Sequence, residues 1–179
     1  MGLARPSSLA ARLGGAFLSL GLLTHCAHGA AAQEREEREI RLAAETQLVR
    51  DLTSHSPGMS LVYCLGYVRI LGEEPPIWEL ADEAPEVLAA VAALQVTVAP
   101  ASRCARSPAA PPDGRPLEGA VHLTVERLDR PDPDTAVVRV ALWRTQGTGP
   151  SRGGRGEGRS VRLARVAGAW EVTGRERTW

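Results

Sequence analysis

The chain has 179 residues, with 21 arginines balanced by 21 acidic side chains, no lysine, no asparagine and a single phenylalanine. The missing lysine excludes a Walker-type phosphate loop and Schiff-base chemistry, and the missing asparagine excludes N-glycosylation. A formal charge of zero gives no electrostatic case for a nucleic-acid partner.

Arg5 and Arg12 flank the start of an apolar run from Leu13 to Leu23, and the small residues of Ala27-His28-Gly29-Ala30-Ala31-Ala32 follow. This is the layout of a cleavable export signal. The apolar run covers 11 positions, whereas a bilayer-spanning helix needs about 20. The expected organisation is therefore a signal peptide at 1–32 and a single exported α+β domain at 33–179, periplasmic or extracellular, with no transmembrane helix in the mature chain. An alternative keeps Cys26. Leu23-Thr24-His25-Cys26 has the outline of a lipoprotein box, which would anchor the protein through lipid at Cys26, but His25 stands where that box has a small residue.

Glu34 to Leu52 is rich in helix formers, and Ile40, Ala44, Leu48 and Leu52 recur along one stripe opposite a charged face, which predicts a first helix. Pro57 and Gly58 end it. Ser60 to Leu71 is apolar at both parities and predicts a strand covered on both faces. Ile77 to Leu94 reads as a short turn and then a second helix from Pro85, with Asp82 as its cap. Gln95 to Pro100 is a brief extended segment.

Loops are expected at 107–119 and 147–158, where prolines and glycines cluster. Between and beyond them the pattern has period two. Val121, Leu123 and Val125 alternate with polar residues, as do Ala136, Val138, Val140 and Leu142 with their neighbours. Arg130 to Asp134 joins these two strands, and Ala167-Gly168 joins two more, giving an antiparallel meander of about four strands. A sheet must bury its apolar face, so the helices are expected to cover it.

Removal of Cys26 with the signal leaves Cys64 and Cys104. In an oxidising compartment a single disulfide is the expected state, closing a loop worth roughly 4 kcal/mol by the chain-entropy argument. Two free buried thiols, or a redox or metal pair, are the rival readings. Their spacing is not a CxxC motif, no Cys or His cluster completes a metal site, and no cofactor motif is present.

A charged helix, a strand bearing Tyr63-Cys64-Leu65, a helix, Pro100-Ala101-Ser102-Arg103-Cys104, and a meander closing on Gly168-Ala169-Trp170-Glu171-Val172 follow one another in that order. This order resembles short exported proteins of unknown function from GC-rich bacteria. The resemblance implies a disulfide at Cys64 and Cys104 and transfers no activity. The layout is also similar to the cone-shaped fold of ketosteroid isomerases and nuclear transport factor relatives. That similarity implies helices over a curved sheet with an enclosed pocket, and it is an analogy of fold alone.

His122 and Glu126 share one side of a strand, and Arg139 on the neighbouring strand completes a candidate polar cluster for a pocket. A solvent-facing sheet surface explains the same alternation. Asp51 and His55, four residues apart at the end of the first helix, suggest a local capping pair. Ser56 and Ser60 lack the GxSxG context of a hydrolase nucleophile. The Arg-Gly segment with Arg152, Arg155 and Arg159 reads as a hairpin loop rather than an RNA-binding run. Two function classes follow. One is a non-enzymatic exported domain that binds an envelope protein or small ligand. The other is a small pocket-containing enzyme built on His122, Glu126 and Arg139.

Overall fold

A computed structural model of the chain describes residues 17–72, 75–104, 120–144 and 156–178. The arginine-bearing start of the signal, the whole loop expected at 107–119 and most of that expected at 147–158 lie outside the described residues. Contacts divide the chain into two units, Met1–Glu36 and Glu37–Trp179. In the first unit, residues 17–36 are helical. They belong to helix α1, Phe17–Ser54, which begins well before the expected Glu34. No proline occurs within it, and its Leu, Ala, Glu and Arg residues are strong helix formers, so the backbone stays helical through Ala32. Among the described residues no helix is long and apolar enough to cross a membrane.

Among the described residues the second unit is built on a mixed sheet of seven strands: β1 (Val62–Leu71), β2 (Ile77–Asp82), β3 (Thr97–Pro100), β4 (Ala120–Asp132), β5 (Thr135–Arg144), β6 (Gly156–Val166) and β7 (Ala169–Arg177). Two further helices, α2 (Pro85–Ala92) and α3 (Ala101–Cys104), flank β3. The α+β class and the four-stranded meander β4 to β7 agree with the sequence reading. The strand count is larger, because Ile77–Asp82 pairs antiparallel with β1 instead of forming a turn and helix start. Trp78 and Ile77 favour a pleated conformation, and pairing to β1 overrides the helical preference of Leu80 and Ala81.

One edge of β1 is shared. β3 runs parallel beside Val62 to Leu65, while β2 runs antiparallel beside Gly66 to Leu71. On the other edge β4 is parallel, pairing Tyr63 with Val121 and Leu65 with Leu123. These parallel pairings were not expected from the sequence. They place Tyr63, Leu65, Val121, Leu123, Val138, Val140, Val161 and Leu163 in one apolar layer with Ile40, Ala44, Leu48 and Val49 of α1. The predicted stripe of the first helix is thus the face that packs on the sheet.

The opposite face of β1 is also covered, but only over its first half. α3 packs against β1, β2, β3 and β4, and the Cys64–Cys104 disulfide fastens it there, with Cα atoms 6.2 Å apart. The fit is close at Gly66, where an added Cβ would lie 2.5 Å from Ala101 Cβ and 2.7 Å from the Ala81 carbonyl oxygen. Asp82 accepts hydrogen bonds from Ser102 N and Ser102 Oγ, both at 2.7 Å, so it holds α3 and not α2. α2 starts from Ala84 with no side-chain cap, its Pro85 pre-set for the first turn. Beyond Gly66 the cover ends, and Ile70, Leu71, Ile77, Trp78 and Leu80 are exposed on the β1–β2 hairpin.

The meander turns follow their sequence. Pro133 and Asp134 form the β4–β5 turn, held by Asp132, whose carboxylate accepts from Asp134 N at 2.9 Å and from Thr135 Oγ1. Ala167 and Gly168 both have positive φ, at 51° and 87°, as a two-residue hairpin turn of the primed type requires.

Candidate functional site

The meander alternates direction, so the end of β5, the start of β6 and the end of β7 meet at one end of the sheet. Trp143 pairs with Gly156, Leu142 with Glu157, and Arg159 with Arg177. The C-terminal turns of α1 lie above this end. Between them is a groove of about 880 Å³. This volume lies within the range of small-molecule sites, roughly 300–1,000 Å³.

Leu48, Val121 and Leu142 supply buried apolar surface to the groove, and Leu52 is its more accessible apolar wall; Trp143 borders it, with its ring turned to the other face of the sheet beside His122. Arg144, Arg159, Arg175 and Arg177 line it as well, against two carboxylates, Asp51 and Glu157. Arg175 pairs with Asp51, while Arg159 and Arg177 share Glu157. Burial alone would raise the Glu157 carboxyl, but its two arginines carry it below its ordinary value. His55 also faces the groove. Its Nδ1 donates to the Asp51 carbonyl oxygen at 2.6 Å, so the expected Asp51–His55 pair caps the helix through the backbone, leaving the Asp51 carboxylate to Arg175.

Of the residues singled out for a pocket, Glu126 and Arg139 are neighbours across β4 and β5, and His122 lies four positions before Glu126 on β4. His122 is buried on the α3 side of β4, beside Cys64 in register and edge-on to Trp143, with ring centroids 5.4 Å apart. Its Nε2 has no hydrogen-bond partner, and burial holds its pKa below the ordinary value. Glu126 falls at a register shift between Val125 and Arg127 and is exposed. Arg139, opposite Arg127, is exposed as well. None of the three lines the groove; His122 and the Trp143 ring beside it lie on the other, α3 face of the sheet. Of the Arg-Gly residues, Arg152 and Arg155 lie outside the described residues, and Arg159 is in β6. The described part of that expected loop, Gly156 to Gly158, is strand.

A second polar feature is embedded in the core. Arg41 donates to Glu83 from Nε at 2.7 Å and from Nη2 at 3.3 Å, and its guanidinium lies 4.1 Å from the Tyr67 ring centroid. All of Arg41, Glu45 and Glu83 are buried. Neither carboxyl oxygen of Glu45 has a partner. Burial, and then the charge of Glu83, push its pKa well above the ordinary value, with Arg41 acting in the opposite sense. Arg38 pairs with Glu86 one turn along, so two ion pairs join α1 to the start of α2. Sequence reasoning missed this cluster by assigning every charge of the helix to its outer face. The available signal was the i, i+4, i+8 row Arg41, Glu45 and Val49, immediately beside the apolar stripe.

Among the described residues no group of histidine, cysteine and acidic side chains is placed to hold a metal ion. No family model, curated protein or solved structure matches the chain.

Proposed function

We propose that the protein is a non-enzymatic exported binding domain, stapled by one disulfide, whose ligand occupies the groove between the end of α1 and strands β4 to β7. The observation that carries this reading is the groove itself: apolar walls and a cationic rim in one concavity. The disulfide supports the assignment to an oxidising compartment outside the cytoplasm. The signal-like pattern of arginines, apolar run and small residues in 1–32 supports it independently. A catalytic reading finds less support, because none of His122, Glu126 and Arg139 lines the groove, and Glu126 and Arg139 are exposed.

Native mass spectrometry of the protein recovered from the cells that make it tests the proposal. The expected spectrum shows a mature chain starting near Gln33, two mass units lighter than the reduced form, carrying a non-covalent adduct that organic extraction removes. Recovery solely as a bare monomer would overturn the binding reading. A chain retaining residues 1–32 would overturn export by a cleaved signal.

A further inference from the structure

The groove's polar and apolar linings are chemically complementary to a particular class of ligand. Resting on the reading of the groove as the ligand site, we infer that its occupant is a monoanionic amphiphile, a carboxylate carried on a single alkyl chain. Four arginines face two carboxylates there, an excess of two positive charges. Three of the arginines are committed, Arg175 to Asp51 and Arg159 and Arg177 to Glu157. Arg144 makes no ion pair among the described residues. It lies two positions beyond Leu142 on the same face of β5, so a carboxylate seated on Arg144 leaves its chain against Leu142 and Leu52. The planar guanidinium fork matches the two oxygens of a carboxylate. A cationic head would meet the excess positive charge, and a neutral head would forgo the charge-assisted bonds.

Calorimetric titration of the oxidised protein with laurate, dodecanol and dodecyltrimethylammonium, each below its micelle-forming concentration, tests this. Laurate is expected to saturate one site at least tenfold more tightly than dodecanol, with the ammonium weakest. Arg144→Gln should weaken laurate about tenfold, as loss of a charged hydrogen bond implies, and leave dodecanol unchanged. Arg69→Gln, altering an exposed arginine paired with Glu79 away from the groove, should change neither. Equal affinity for laurate and dodecanol, or an unchanged laurate affinity in Arg144→Gln, would overturn the anion assignment while leaving the groove as a binding site. If none of the three binds and the protein from its own cells still carries an adduct, the ligand class is wrong and the groove reading stands.

Discussion

Glu45 is a carboxyl sealed in the core with neither oxygen hydrogen-bonded. Its pKa in the fold is raised by burial and by Glu83, whereas in the unfolded chain it is about 4.3. The folded state therefore holds this proton more tightly than the unfolded state does. The contribution to stability is complete below about pH 4.3 and is lost as pH rises through the folded value. Glu83, Arg41 and Tyr67 form the polar surroundings of this site, so the decline belongs to the whole cluster. Glu45→Met removes a group with no compensating bond, and a gain of about 1–4 kcal/mol is expected. Urea unfolding between pH 5 and 9 should show higher stability and a flatter alkaline side; a loss of stability would contradict the account. Glu83→Gln, which leaves the buried Arg41 without its paired charge, should instead lose about 3–5 kcal/mol. His122 acts in the opposite sense. Its lowered pKa means that stability present above its unfolded value, about 6.5, is lost as pH falls towards the folded value. Replacement by Phe should remove that acid-side loss. The Glu45 cluster was not legible in the sequence, because a charged residue bordering an apolar stripe looks alike whether protein or water covers it, and the alternation around His122 fits a solvent-facing strand equally well.

At the scale of elements, the contact between α3 and the β1 strand admits little variation. Gly66→Ala must displace either Ala101 or the Ala81 carbonyl. Overpacking of this kind typically loses about 1–3 kcal/mol, and chemical denaturation should register it without a change in the disulfide. The β6–β7 turn leaves room for improvement. Ala167 sits at φ 51°, a region that an alanine side chain disfavours and asparagine tolerates. Ala167→Asn should add about 0.5–1 kcal/mol, and an unchanged or lowered thermal midpoint would count against a strained turn. The meander was readable beforehand because period-two alternation and short Pro-Asp and Ala-Gly turns specify antiparallel neighbours locally. β2 and the two parallel ladders were not. Their pairing joins partners such as Tyr67 with Ala81, 14 positions apart, and Leu65 with Leu123, 58 apart, and Leu-Ala-Asp carries no local mark of a strand.

For the whole molecule, Cys64–Cys104 spans 40 positions and ties α3 to the sheet. The chain-entropy argument values such a closure at roughly 4 kcal/mol, a large share of the 5–15 kcal/mol typical of a domain. Cys104→Ala should therefore lower the thermal midpoint strongly under oxidising conditions and hardly at all when the parent protein is also reduced. The cysteine pairing was legible because the two cysteines that remain once Cys26 is assigned to the signal leave one connectivity. The groove was not, since Leu52, Trp143, Arg144, Arg159 and Arg177 converge only when the meander brings alternate strand ends together. The central claim is that this convergence forms a ligand site. Its most direct test is nuclear magnetic resonance mapping with laurate carrying a ¹³C-labelled carboxyl and chain. Saturable shifts and intermolecular contacts confined to Leu48, Leu52, Leu142 and Arg144 are predicted, with the carboxyl carbon nearest Arg144. Contacts centred instead on Ile70, Trp78 and Leu80 of the exposed β1–β2 hairpin would contradict it.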